Sequence, residues 1–325
     1  MDPLFTPAWV VYHPDFEHYR TGKNQLERPE RCKVIMDALL KKGITDDAHI
    51  LTPRKATFDE VALCHSPSYL KKVETECKNA SIISNTLLST GDVYISPASY
   101  QTALLAAGAV LTAVDAVMKG TTKKVFCNIR PPGHHATPEK GHGFCLINNV
   151  ALGALYLLKH YPQIEKVLIV DWDLHHGDGT QHIFYHNPSV YYFSTHAAGI
   201  FPGTGFSHEI GEGKAAGTTM NVPLSEKKGS HAQIIAAFKD KLMPAMENFK
   251  PDFVFISAGF DAHKEDYFQA FDLENSHFVV LTELVKEIAD KYAKGRIISV
   301  LEGGYTLNVL KKVVPAHVKA LFTIT

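Results

Sequence analysis

Val167-Leu168-Ile169-Val170-Asp171-Trp172-Asp173-Leu174-His175-His176-Gly177-Asp178-Gly179-Thr180 is the stretch on which the reading of this chain turns. Four aliphatic residues in succession read as a strand buried on both faces, the kind found in parallel sheets. That strand delivers three aspartates and two adjacent histidines into a turn containing Gly177 and Gly179. Asp173 and His175 are two residues apart, so in an extended segment they project to the same side. A carboxylate beside an imidazole is half of a zinc site with an open position. The rest of the chain must then supply a third ligand and the groups that move protons.

Working outward, similar apolar runs occur at Val125–Ile129, Val190–Phe193, Phe253–Ile256 and Ile297–Leu301. Helical patterns lie between them. Pro29 opens a helix to Leu40, with Gly43 just past its end. Ser66-Pro67 and Ser96-Pro97 each read as an N-cap followed by Pro at the first helical position. The second of these leads into Ala98 to Met118, which is apolar nearly all round and is expected to be a buried helix. Further helices fit Asn149–Lys159, His231–Glu247, Leu273–Lys294 and Leu307–Leu321. The glycine-rich stretch from Gly199 to Gly217 holds Phe201, Pro202 and Phe206 and is expected to be a structured loop rather than a linker. This βα alternation predicts one doubly wound α/β domain over residues 1–325.

Composition narrows the function. With 325 residues and 45% hydrophobic content the chain can bury a large core. A formal net charge of −1 with no basic stripe gives no grip for nucleic acid. The five cysteines (Cys32, Cys64, Cys77, Cys127, Cys145) are odd in number and form no CxxC pair. They read as thiols of an intracellular, reducing, cytoplasmic compartment. The first residues show no basic segment or long apolar run, so neither a signal peptide nor a membrane span is expected.

Each strand-like run ends in reactive or turn-forming residues. Val125–Ile129 leads into Arg130-Pro131-Pro132-Gly133-His134-His135, and Val190–Phe193 into Ser194-Thr195-His196. Phe253–Ile256 leads into Ser257-Ala258-Gly259-Phe260-Asp261, and Ile297–Leu301 into Glu302-Gly303-Gly304-Tyr305. Ligands of open parallel sheets bind outside the carboxyl ends of the strands. Any one of these endings alone is more often an ordinary glycine turn or a helix cap; five of them together nominate one pocket. Asp261 is the best third metal ligand, giving two carboxylates and one imidazole with positions left for water and substrate. The tandem His134-His135 suits an acid–base pair. Asp171 and Asp178 are spare carboxylates able to orient those rings. Tyr305, after two glycines, offers a phenol to a developing oxyanion.

These motifs, together with Gly143-Phe144-Cys145-Leu146-Ile147-Asn148-Asn149 and Phe201-Pro202-Gly203-Thr204-Gly205, resemble the zinc-dependent histone deacetylase family from about His13 to Leu321. The Gly-Phe-Cys and Ala-Gly-Phe-Asp forms resemble its class II members and their bacterial relatives. The resemblance implies an arginase–deacetylase fold with an eight-stranded, mostly parallel sheet. It implies one zinc ion per chain on Asp173, His175 and Asp261, with the tandem histidines, Asp171, Asp178 and Tyr305 in the roles just given. Gly143, Phe144 and Phe201 would line a narrow channel for an acyl-lysine stem, and Arg31 would lie near its foot. Asp92 would hold the substrate backbone at the rim. A structural potassium or sodium ion would sit on Asp171, Asp173, His175, Ser194 and Thr195, with Phe184 near a second such site. His176 is expected to pack behind the site.

Two departures from the family pattern bear on the substrate. The loop His196-Ala197-Ala198-Gly199-Ile200-Phe201 is shorter than in many relatives, which widens the rim. The family's frequent Gly-Asp-Pro-Leu appears here as Glu265-Asp266-Tyr267-Phe268. Polyamine deacetylases of the family carry a glutamate near that last position, whereas Phe268 has no charge. The expected substrate is therefore an acyl-lysine protein or peptide. An acetylpolyamine amidohydrolase is the alternative, a two-metal ureohydrolase or an inert acyl-lysine reader the more distant ones. The ligand set also accommodates iron(II), and the oligomeric state stays open.

Overall fold

The computed structural model describes residues 5–19, 21–22, 25–81, 85–225 and 227–324. The strands, in chain order, are β1 (Val10–Val11), β2 (Ile50–Leu51), β3 (Thr86–Leu87), β4 (Tyr94–Ile95), β5 (Lys124–Cys127), β6 (Val167–Asp171), β7 (Val190–Ala197), β8 (Thr219–Leu224), β9 (Phe253–Ala258) and β10 (Ile297–Leu301). Eight of them form one sheet in the order β2-β1-β5-β10-β9-β6-β7-β8, with β3 and β4 as a separate hairpin. Every neighbouring pair in the large sheet is parallel.

Its helices are α1 (Glu30–Lys41), α2 (Phe58–Val61), α3 (Pro67–Asn79), α4 (Ser99–Met118), α5 (Asn149–His160), α6 (Asp178–Phe184), α7 (Ser230–Ala237), α8 (Met243–Phe249), α9 (Asn275–Tyr292) and α10 (Leu307–Phe322). Strands β5, β6, β7, β9 and β10 carry their hydrophobic residues into one core, in which Val167, Ile169, Phe255 and Val300 are fully buried. This is why their sequences read as unbroken apolar runs instead of alternating. Helix α4 is the one described helix long and apolar enough to cross a membrane. It is mostly buried here, against α5 and the sheet.

Two helix boundaries depart from the sequence reading. Ser96 does not cap α4, which starts at Ser99 behind Ala98. Pro97 and Ala98 form a turn, and the Ser99 hydroxyl accepts the Ser96 N–H at 2.7 Å. The single helix expected over His231–Glu247 is interrupted at Phe238–Leu242 by a wider turn, in which Met243 N–H bonds back to Phe238 O. Pro244 lies just beyond it and has no N–H to offer the carbonyl four residues back. Ser66 does cap α3, accepting Tyr69 N–H at 3.2 Å.

The order of the strands places the site. β5, β10, β9 and β6 are consecutive in the middle of the sheet, and β7 flanks β6. The chain reaches β6 only after leaving β5 and fills β9 and β10 between them last. The carboxyl ends of these strands therefore surround a crevice where the winding reverses.

Two buried histidines set an acid limit to this fold. His65 accepts Asn148 N–H at 2.9 Å, and His317 lies between Thr282 and Ser299 hydroxyls at 2.7 and 2.9 Å. Burial pushes His65 down to about 4 and His317 to about 3. Below about pH 6.5 the unfolded chain takes up these protons while the folded one refuses them until the lower value. Stability therefore falls as pH drops through 6.5, by about 1.4 kcal/mol per pH unit for each group within its window. Urea unfolding at pH 7.5 and 5.0 checks this; equal stabilities at both would contradict it.

Candidate active site

The turn after β5 carries His134 and His135, and both rings are buried. His134 Nδ1 lies 3.0 Å from Asp171 Oδ2, and His135 Nδ1 lies 2.8 Å from Asp178 Oδ1. The imidazole centroids are 4.0 Å apart. Burial alone would lower His134, but Asp171 and Asp173 outweigh it and carry the group well above its usual value. Burial, followed by the neighbouring His134 charge, pushes His135 down to about 3. The surroundings thus push two adjacent residues of one type in opposite directions.

Asp173, His175 and Asp261 come together, with one donor atom from each within 4.8 Å of the others. His175 Nδ1 is 3.2 Å from Asp173 Oδ1 and 3.1 Å from Asp261 Oδ2. The reason for their convergence differs from the sequence argument. β6 ends at Asp171, so Asp173 and His175 are not consecutive same-face strand residues. Instead they lie in a bend, where Asp173 Oδ1 accepts His175 N–H at 2.9 Å. Backbone N–H groups hold the carboxylates further, Gly303 to Asp173 Oδ2 at 2.8 Å and Leu174 to Asp261 Oδ1 at 2.9 Å. A Cβ at position 303 would collide with both carboxylates, so only glycine lets the β10 turn close over them.

The electrostatics of the triad ask for a cation. Burial, then the Asp173 charge, pushes Asp261 up to about 7. Burial opposes a charge on His175, yet hydrogen bonds to Asp173 and Asp261 raise it to about 9. Two carboxylates and a nitrogen pressed together in a buried pocket, without Lys or Arg among them, form a donor set suited to a divalent metal.

The walls follow from three loops. Cys145 N–H bonds to His142 O at 2.9 Å, closing a turn in which Gly143 and Phe144 both have positive φ, +55° and +68°. Asp92 accepts Gly143 N–H at 2.9 Å. This aims the Phe144 ring at Tyr305, 5.8 Å between centroids. Phe201 stands edge-on to His135 at 5.0 Å, and Phe268 edge-on to His175 at 4.8 Å and to Tyr305 at 5.8 Å. Phe201 and Phe268 are 41% and 38% exposed, so both rings reach the surface above the triad and the tandem histidines.

Tyr305 itself is buried and held from two sides. Asp266 Oδ2 accepts the N–H groups of Tyr305 and Thr306 at 2.9 and 2.8 Å. Arg31 donates to Gly304 O at 2.6 Å and to Glu302 O, and its guanidinium lies 5.1 Å from the Tyr305 ring centroid. Burial, with Asp261 and Asp173 adding to it, raises the phenol well above 10.

A model of the histone deacetylase domain matches residues 25–321. The chain belongs to the histone deacetylase family. A probable deacetylase of Archaeoglobus fulgidus is 37% identical over 92% of this chain and 81% of that protein. The human polyamine deacetylase HDAC10 is 35% identical over 96% of this chain but only 47% of that protein, so the chain spans about half of it. The solved HDA15 HD domain superposes with a TM-score of 0.87 at 32% identity, covering 98% of this chain and 90% of that one. The expected arginase–deacetylase architecture is thereby established, and the enzyme is a hydrolytic deacetylase. Histone deacetylases are in general zinc-dependent, and the donor set of Asp173, His175 and Asp261 fits that metal.

Within this deacetylase the sequence reading missed several supporting residues. Glu302 is buried beneath the tandem-histidine turn, and its Oε2 accepts Gly133 and His134 N–H at 2.7 and 3.2 Å. Glu27 binds the buried Arg130 through two contacts of 2.7 and 2.8 Å and also pairs with Arg31. Tyr192 donates to Asp171 Oδ2 at 3.1 Å. Apart from the Glu27–Arg31 pair, these contacts join residues far apart in sequence, which no local pattern shows. His142, next to the Gly143-Phe144 turn, was also missed, because it stands alone in sequence. His176 packs behind the site as expected, bonded to Thr204 and Gln181 at 2.8 and 3.0 Å. Asp171 on β6 sits opposite Ser194 on β7, and the buried Thr195 hydroxyl has no hydrogen-bond partner among the described residues.

Proposed function

We propose that this deacetylase hydrolyses N-ε-acyl-lysine amides of proteins or peptides, using one zinc ion held by Asp173, His175 and Asp261. The observation that carries the reading is the aromatic mouth. Phe144, Phe201 and Phe268 offer an alkyl stem apolar surface, and none of the three offers a charge to a second amine. Bound zinc would supply Lewis-acid polarisation of the acyl carbonyl and of the attacking water.

The chain's own groups do the rest. His135 is neutral at pH 7 and accepts the proton of the attacking water, with Asp178 fixing its tautomer. His134, charged beside Asp171, supports the developing negative charge and the protonation of the leaving amine. Tyr305 donates its hydroxyl to the oxyanion. The C–N bond breaks, and the products are a carboxylate and free lysine. Asp92 steadies the rim turn through Gly143 and takes the substrate backbone. Arg31 acts from below by clasping the turn after β10 that bears Tyr305. A potassium or sodium ion on Asp171, Asp173, His175, Ser194 and Thr195, with Phe184 near a second site, would satisfy the unpartnered Thr195 hydroxyl. We assign the chain to one catalytic domain spanning residues 1–325. Five free, buried thiols support an intracellular, reducing, cytoplasmic setting.

The reading is tested with an acetyl-lysine peptide against acetylputrescine and acetylspermidine. The expected result is a kcat/KM at least about tenfold higher on the peptide, the ratio produced by 1.4 kcal/mol of preference. Phe268→Glu is expected to raise polyamine turnover by placing a carboxylate near the distal amine. Equal or better turnover of polyamine by the unaltered enzyme would overturn the peptide assignment.

A further inference from the structure

Asp178 serves two histidines. Its Oδ1 meets His135 Nδ1 at 2.8 Å, and its Oδ2 lies 3.0 Å from His142 Nε2. His142 is buried, and among the described residues its Nε2 makes no hydrogen bond of good geometry, so the close approach to Asp178 Oδ2 is an ion-pair contact. The His142 ring lies 5.8 Å from His135 and 5.5 Å from Phe201, so the three rings form one continuous wall. The chain comes directly from this ring into the Gly143-Phe144 turn that lines the channel.

We propose that His142 is a positioning residue of the acid–base machinery: it holds the second oxygen of Asp178 so that the first stays aligned on His135. The proposal rests on the reading of His135 as proton acceptor. A carboxylate swings about its last single bond when only one oxygen is engaged. A donor on the other oxygen stops that motion and fixes which nitrogen of His135 carries its proton. Burial works against a charge on Asp178, but the two histidines outweigh it and hold the carboxyl well below the usual carboxylate range. His142 moves no proton and touches no substrate. A ring present only to fill space would be replaceable by another ring, and this separates the two roles.

The experiment compares kcat, KM, zinc content and thermal stability on an acetyl-lysine peptide for His142→Phe, His142→Gln, Asp178→Asn, His135→Ala and the double variant His142→Phe/Asp178→Asn. His142→Phe keeps the ring but not the donor. It is expected to retain zinc and KM while kcat falls by about 10- to 100-fold, the usual effect of losing such an outer partner. His142→Gln, whose amide can still donate, is expected to recover most of that loss. The double variant is expected to lose no more than Asp178→Asn alone, because the contact is then already gone. Wild-type kcat in His142→Phe, equal impairment of Phe and Gln variants, or a loss confined to KM would each overturn the proposal. If His142→Phe does not fold, His142→Leu takes its place against His142→Gln at matched zinc content. Activity surviving in His135→Ala would instead overturn the reading of His135, so the two failures are distinguishable.

Discussion

Replacing Tyr305 with phenylalanine is expected to leave a folded, metal-loaded protein whose kcat is lower by about 10²- to 10³-fold, the usual effect of deleting one oxyanion donor. The reasoning begins with the backbone. Asp266 grips the N–H groups of Tyr305 and Thr306, and Arg31 grips the carbonyls of Gly304 and Glu302. Neither contact involves the phenol oxygen, so both survive the substitution. The ring is packed between Phe144 and Phe268, and phenylalanine fills the same space. Only the hydroxyl is lost. Burial beside Asp261 and Asp173 keeps that hydroxyl protonated through the working pH range, which makes it a neutral donor throughout. The loss therefore appears in kcat more than in KM. Steady-state kinetics on an acetyl-lysine peptide, with zinc content measured on the same sample, decides it. Turnover at the wild-type rate would remove Tyr305 from the mechanism.

How much of this was legible in the sequence follows from how far each interaction reaches. The ligand triad and the tandem histidines could be found because parallel strands deposit their chemistry at one edge, immediately after readable apolar runs. The strands themselves were readable where both faces are buried, as in β6 and β9. They were not readable at the sheet's margins. β1 and β2 are two residues each, too short for a pattern, and β8 carries Asn221 and Pro223, which an edge position tolerates. The convergence of Asp173 and His175 was correctly expected for a reason that does not apply, since a side-chain-to-backbone bend replaces the strand geometry.

The supporting shell was the least legible. Glu302 holds His134 across 168 residues of chain, and Glu27 holds Arg130 across 103. Such pairs follow from the order of the strands, which no local pattern encodes. Phe268 was found because it replaces an expected residue type. His142 was passed over because, among 18 histidines, it stands alone in sequence while clustering in space.

Stripping the metal is expected to abolish activity and to destabilise the protein by an amount that grows with pH. Asp173 and Asp261 are buried against each other, and without a cation the pair resists a second negative charge. Burial and the Asp173 charge raise Asp261 to about 7. The unfolded chain gives up that proton near the ordinary carboxylate value, about 4. Between these values the folded, metal-free protein holds more protons than the unfolded one, so its stability falls as pH rises through the window. Above about 7 the Asp261 contribution is complete, and His175, raised to about 9 by the two carboxylates, adds its own loss of stability as pH rises from about 6.5 to about 9. Zinc at the site reverses the sign, because a dication favours both ionised carboxylates and competes with protons for the same atoms. The difference in Tm between loaded and stripped protein should therefore widen from pH 5 to pH 8, while contributions common to both, such as those of His65 and His317, cancel. Activity should return on adding zinc back. Asp261→Asn removes one of the two charges and is expected to flatten the dependence while losing the metal. A Tm difference that stays constant or narrows with rising pH would mean that the carboxylate pair does not hold the ion. Chelated protein with full turnover would exclude a metal from the reaction altogether.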